Sequence, residues 1–221
     1  MARAIAIAIK AGGGSDPNAN YKLKVAIEQA KAYNIPKANI DRILSRADME
    51  KSYEETTYEG YGPEGIAVIV EVATDNKNRS GQEIKNIFER GGGSLAGPGS
   101  VSFNFEQKVL IVVKKTGDID SQMLKLIDLG VEDIDESEDG LEVYVPVSSA
   151  SEIKEKIEDL GFEISSFEII QKPKNLITLT DERKVTKAIS FLDSLDDNED
   201  VQNVFSNLDI PPDIAKIISE S

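Results

Sequence analysis

The stretch from Val109 to Ile170 limits the fold of this chain more than any other, because its hydrophobic period switches repeatedly between that of a strand and that of a helix. Val109-Leu-Ile-Val-Val113 is a β-branched run of strand length. Met123 to Leu129 has helical spacing and is closed by Gly130, and Asp133 to Glu136 reads as a short acidic strand. Leu141-Glu-Val-Tyr-Val145 is a strand, Ser149 to Leu160 a helix closed by Gly161, and Phe162 to Ile170 a last strand. The order β-α-β-β-α-β predicts a four-stranded antiparallel sheet with two helices on one face, the ferredoxin-like arrangement.

Upstream the texture differs. Met1 to Lys10 reads as a densely apolar helix, too short for a signal peptide and without a convincing cleavage signature before Gly12-Gly-Gly-Ser15. Leu23, Ala26, Ile27 and Ala30 then fall at i, i+3, i+4, i+7, and Ile40, Ile43, Leu44 and Ala47 repeat that spacing after Pro36. Residues 1–50 are therefore expected to form a small helical domain. From Glu55 the chain turns to strand: Thr56-Thr-Tyr58 leads into a turn signal at Gly60-Tyr-Gly-Pro63, and Gly65 to Val72 reads as a buried strand. A polar loop over 74–80 precedes a helix carrying Ile84, Ile87 and Phe88, and Val101 to Phe105 alternates like a half-buried strand. After residue 174 there remain one helix, over Glu182 to Asp193, one strand, Val201 to Phe205, and a tail, too little to fold alone. The economical solution is a discontinuous α/β domain of 51–108 plus 175–221 with the ferredoxin-like unit, 109–174, inserted in it. The expected class is α+β, a helical N-terminal domain followed by two α/β domains, one inside the other.

Composition narrows the function. With 0 histidines and no cysteine, the chain lacks the commonest general base, the usual zinc ligands and any thiol nucleophile, so the expectation is a protein that is not an enzyme and needs no cofactor. The acidic clusters at Asp133 to Asp139 and Asp193 to Asp200 lack the ligand and glycine spacing of a calcium loop and read as solvated loops. The glycines at 91–93 and 97–99 contain no phosphate-binding Gly-x-x-x-x-Gly-Lys-Ser/Thr signature. No apolar run is long enough to span a membrane, and with no export signal the cytoplasm is the simplest location.

Charge is uneven. Residues 1–50 hold eight Lys/Arg and five Asp/Glu, 8 − 5 = +3, while the whole chain is −15, so residues 51–221 sum to −15 − 3 = −18. An acidic body repels phosphate backbones, so nucleic acid would have to meet the basic end, whose polar helix faces carry Lys22, Lys24, Lys31, Lys37, Arg42 and Arg46. The acidic remainder would suit a basic protein partner instead. A second candidate is Asn76, Lys77, Asn78 and Arg79, between a strand end and a helix start, where backbone N–H groups and the helix dipole favour an anion. The plainer reading is a loop whose Asp75 or Ser80 caps the helix. If the loop contacts nucleic acid, replacing Lys77 and Arg79 by alanine weakens binding and leaves the melting temperature nearly unchanged.

A set of motifs adds a resemblance. Gly12-Gly-Gly-Ser-Asp-Pro-Asn-Ala-Asn20, Pro36-Lys-Ala-Asn-Ile-Asp-Arg42, Tyr58-Glu-Gly-Tyr-Gly-Pro-Glu-Gly65, Thr74-Asp-Asn-Lys-Asn-Arg79, Gly99-Ser-Val101 and Asp200-Val-Gln-Asn-Val204 together resemble the YebC family of probable transcriptional regulatory proteins. Relatives in that family include the mitochondrial translational activator of cytochrome c oxidase. The resemblance implies a three-domain α/β fold and a non-enzymatic role in gene expression, either as a DNA-binding transcriptional regulator or as a translation factor on the ribosome and its RNA. Family members usually begin with a basic segment containing Gly-His-Ser-Lys-Trp that has no counterpart here, Met1 falling inside what resembles the first domain. Glu64 stands where the family usually has glycine, and Phe205-Ser206 where it has Tyr-His. A third class, a small-molecule sensor or enzyme using the ferredoxin-like unit, stays open beside these two.

Overall fold

The computed structural model describes residues 5, 8, 9, 16, 17, 19–32, 37, 40 and 54–219; for 22, 28, 29, 31, 32 and 219 it describes the backbone. Two compact units emerge, one of Met1–Val101 with Thr178–Ser221, the other of Ser102–Ile177. The class is α+β, with one α/β unit inserted in another.

In the first unit, helix α1 (Tyr21–Ala32) turns Leu23, Ala26 and Ala30 inward, where they share a core with Ile5, Ala8, Ile9 and Ile40. These are the positions that the helical spacing selects. Asn20 fixes the start of α1: its Oδ1 accepts the Leu23 N–H at 3.0 Å, and its Nδ2 donates to the Ala8 carbonyl at 2.7 Å. A buried asparagine of the Asp-Pro-Asn-Ala-Asn motif thus ties two helical segments together.

The same unit holds an antiparallel sheet of order β3-β1-β2-β9, formed by β1 (Glu54–Tyr61), β2 (Ala67–Thr74), β3 (Ser94–Ala96) and, from the far end of the chain, β9 (Val201–Ser206). Helices α2 (Lys77–Gly91) and α5 (Glu182–Asp196) pack on it and on each other, Phe88 meeting Phe191 edge to face with centroids 5.1 Å apart. Glycines make this closeness feasible. A Cβ on Gly60 would lie 2.5 Å from the Phe88 ring, and one on Gly91 2.4 Å from that of Phe191.

The inserted unit contains β4 (Phe105–Val113), α3 (Ile119–Ile127), β5 (Asp133–Glu136), β6 (Leu141–Pro146), α4 (Ala150–Asp159) and β7 (Ile164–Pro173). Its antiparallel sheet has the order β5-β6-β4-β7, which is the ferredoxin-like topology. Val109, Ile111, Val113, Val143 and Val145 from the strands close on Leu126, Ile153 and Ile157 from the two helices. The remaining elements are a short ribbon of β8 (Ile177–Thr178) with β10 (Leu208–Asp209) and a terminal helix α6 (Pro212–Ser219), where the sequence suggests only a tail.

Three local expectations are corrected. The turn expected at Gly60–Pro63 is displaced, because β1 runs through Gly60 and Tyr61 and the reversal is a short 3-10 turn over Pro63–Gly65. The strand expected over Val101–Phe105 is absent; Ser102–Asn104 is a 3-10 turn and β4 begins at Phe105. Just before this turn the buried carboxylate of Glu59 accepts the N–H groups of Gly99 and Val101 at 2.8 Å each, so the first residue of the expected strand bonds to a side chain and not to a neighbouring strand. Finally, the polar loop over 74–80 is much shorter, because α2 already starts at Lys77.

Candidate nucleic-acid interface

The best-built polar site in the described residues lies where β2 ends and α2 begins. Asn76, not Asp75 or Ser80, caps the helix: its side-chain oxygen accepts the Arg79 N–H at 3.2 Å. Thr74 Oγ1 accepts the Asn76 N–H at 2.9 Å and lies 2.7 Å from Ser80 Oγ. Both hydroxyls converge on Asp200, at the start of β9, whose Oδ2 is 3.1 Å from Thr74 Oγ1, 2.5 Å from Ser80 Oγ and 2.8 Å from Arg79 Nη2. The Asp200 side chain is 3% exposed. Burial pushes its carboxyl up, but the bonds from Ser80, Arg79 and Thr74 outweigh burial and hold it below the ordinary carboxylate range.

Asp200 is held further by its backbone, its carbonyl accepting the Ala73 N–H at 2.9 Å and its N–H donating to Asn198 Oδ1 at 3.0 Å. At the other end of β9, Asn207 Oδ1 accepts the Ala67 N–H at 2.7 Å. The C-terminal strand is therefore stitched to both ends of β2. Nothing local in the sequence pairs Arg79 with Asp200. The usable signal was Asp200-Val-Gln-Asn-Val204 as a motif in its own right, an acid at the head of a strand.

Each expected contact residue can now be placed. Asn76, Lys77, Asn78 and Arg79 are all exposed and lie together in the cap and first turn of α2. Their charge is largely answered from within. Lys77 Nζ is 2.8 Å from Glu54 Oε2, and that hydrogen bond raises its pKa. Arg79 reaches Asp200, Asp75 at 3.1 Å and Glu83 at 3.9 Å. Two cations face four carboxylates, 2 − 4 = −2, so the helix start has no positive excess. It also follows that Arg79 is not a dispensable loop charge. Removing it strips a donor from a buried carboxylate, and the double alanine variant would lose stability as well as charge.

At the basic end, Lys24 is exposed on α1 and Lys37 is exposed in its helical segment. Lys22 and Lys31 also lie on α1. Arg42 and Arg46 lie outside the described residues. Among the described residues, no cluster of His, Cys, Asp and Glu could hold a metal ion, and no helix is long and apolar enough to cross a membrane.

Comparison with known proteins gives this geometry a context. Residues 1–50 match a family model described as the TACO1/YebC protein N-terminal domain. Residues 53–208 match one described as the TACO1/YebC second and third domain. The chain is 45% identical over 203 residues to a probable transcriptional regulatory protein of Caldanaerobacter subterraneus subsp. tengcongensis, covering 90% of this chain and 83% of that protein. It is 42% identical over 217 residues to one from Sulfurihydrogenibium sp., covering 96% and 86%. The crystal structure of a conserved hypothetical protein from Aquifex aeolicus matches with a TM-score of 0.87 at 37% identity, over 95% of this chain and 88% of that one. With both family models matched in order along nearly its whole length, the chain belongs to the TACO1/YebC family.

Proposed function

We propose that this chain is a non-enzymatic regulator of gene expression, as the names of its relatives, probable transcriptional regulatory proteins, suggest, and that it works in the cytoplasm by binding nucleic acid, with duplex DNA as its target. The observation that carries the reading is the charge asymmetry, +3 over residues 1–50 against −18 over the rest, with Lys24 and Lys37 exposed on the basic part. In this reading Lys22, Lys24, Lys31, Lys37, Arg42 and Arg46 contact phosphates. Asn76, Lys77 and Asn78 add a secondary contact at the α2 start, and Arg79 serves chiefly to hold that start in place. Residues 1–50 match a family model of their own, and in this reading they carry the nucleic-acid contacts while the acidic remainder does not.

The test is retention of the protein on duplex DNA and, in parallel, co-sedimentation with ribosomes, each across a salt series. The expected result is DNA binding that weakens steeply with salt, because neutralising phosphates releases counterions. Replacing Lys24 and Lys37 by alanine lowers the slope of log K against log salt by about two, close to one unit for each phosphate that is no longer neutralised. Ribosome binding without comparable DNA binding would overturn the DNA reading in favour of a translation factor. A saturable heat of binding with a metabolite and no binding to either polymer would move the protein to the sensor class.

A further inference from the structure

The inserted unit leaves one face of its sheet without a helix. Odd-numbered residues of β4 and β6 point into the core beneath α3 and α4, so the even-numbered ones line the opposite face. The strand register sets them in rows. Asp133, Tyr144, Leu110 and Glu168 form one row across all four strands, and Asp135 and Glu142 begin the next. On the central strand β4 Leu110 stays partly accessible, its neighbours on this face, Lys108 and Val112, being buried and the Lys108 ammonium answered by Glu106 and Glu132, while Asp133, Asp135 and Glu168 on the outer strands are exposed.

Two observations say what this face can take. First, its aromatic ring already holds a cation. The Lys172 ammonium sits 3.4 Å from the centroid of Tyr144 and 2.7 Å from Asp133 Oδ2, so aromatic and carboxylate together form a seat for an ammonium group. The Tyr144 hydroxyl donates to Glu142 Oε2 at 2.7 Å, turning the ring's polar end toward the acids. Second, open ferredoxin-like sheets that bind RNA do so by stacking bases on bare aromatic faces, and here the Tyr144 ring is covered by an ammonium. The unit as a whole has eight Lys/Arg against seventeen Asp/Glu, 8 − 17 = −9 over residues 102–177, which repels phosphate at long range.

We propose that the open face of the β5-β6-β4-β7 sheet docks a Lys/Arg-rich protein segment. Asp135 and Glu168 lie on the two outer strands, three strand spacings apart and one row out of line, roughly 16 Å in all, and an extended chain advances that far in about five residues. A segment crossing the strands with basic residues at that spacing meets an acid at each end and Leu110 between. The proposal does not depend on the nucleic-acid reading, since it concerns a different surface and a different partner.

The probe is a fluorescent synthetic Lys/Arg-rich peptide of about twelve residues, long enough to cross the sheet, titrated into the full chain and followed by anisotropy. Replacing Asp135→Asn, Glu142→Gln and Glu168→Gln together should raise its Kd at least about tenfold, whereas Glu152→Gln, Glu155→Gln and Glu158→Gln on α4, an equal change of charge, should raise it less than about twofold. Carbodiimide should cross-link lysines of the peptide to Asp135 or Glu168 in the unsubstituted chain, a readout that stands even where the triple variant fails to fold. Equal weakening by both triples would overturn the proposal, as would cross-links confined to other surfaces, or a single-stranded RNA homopolymer whose binding the face variant abolishes.

Discussion

Asp200 is the residue on which most at the α2 start depends. Its Oδ2 gathers two hydroxyls and a guanidinium, so Asp200→Asn replaces a charged acceptor by a weaker one and should cost about 2–3 kcal/mol at neutral pH. The pH dependence has a definite sign. Because the folded-state pKa is depressed, the carboxylate's contribution is complete above the unfolded value of roughly 4 and is lost as pH falls through the lower folded value. Melting temperatures of wild type and the asparagine variant, measured from neutral pH downward, should converge only below about pH 4; a constant gap would mean that the network does not hold a charge. Glu64 offers a second residue-scale test. It adopts φ 58° and ψ 13°, the left-handed region that costs a side-chain-bearing residue about 1 kcal/mol, and its carboxylate lies 2.7 Å from Lys184 Nζ. Glu64→Gly relieves the backbone and Glu64→Ala keeps the strain while losing the pair, so the melting temperatures should rank glycine, then wild type, then alanine.

Among the elements, what was legible in the sequence was periodicity, and what was not was competition for hydrogen bonds. The helical face of Leu23, Ala26 and Ala30, the strand Asp133–Glu136 and the whole β-α-β-β-α-β order follow from spacing alone. Gly60-Tyr61 looked like a turn because glycine usually marks one, yet Gly60 sits inside β1 so that the Phe88 ring can lie on the strand. Val101–Phe105 alternates like a strand, but Glu59, 42 residues upstream, takes the Val101 N–H, and Ser102–Asn104 turns instead. The Arg79–Asp200 contact spans 121 positions, and no local pattern encodes it. The role of Gly60 is testable. A methyl group there would meet Phe88 at 2.5 Å and the Ser94 carbonyl oxygen at 2.6 Å, so Gly60→Ala should destabilise by about 1–3 kcal/mol. Alanine at Gly97, where nothing lies within 4 Å, serves as the control and should leave unfolding by denaturant almost unchanged.

At the scale of the molecule, the two ends of the insertion lie side by side within it. β4 and β7 run side by side from Phe105 opposite Pro173, Asn104 Nδ2 donates to the Asn175 carbonyl at 3.1 Å, and Asn175 Nδ2 donates to Asn104 Oδ1 at 2.8 Å. The unit also has its own core. Residues 102–177 produced alone should therefore unfold in one cooperative transition; a gradual, non-cooperative melt would show that the host is needed. The same arrangement has a consequence for synthesis. Strand β2, buried along nearly its whole length, keeps an open edge until β9 emerges, and every strand of the insertion leaves the ribosome before β9 does. At about 5–20 residues per second, the host must wait several seconds with a hydrophobic strand incomplete while its guest is already folded. In this protein a strand made after the insertion closes the sheet begun before it, so a nascent chain cut short before Val201 would carry a finished insertion in an unfinished frame.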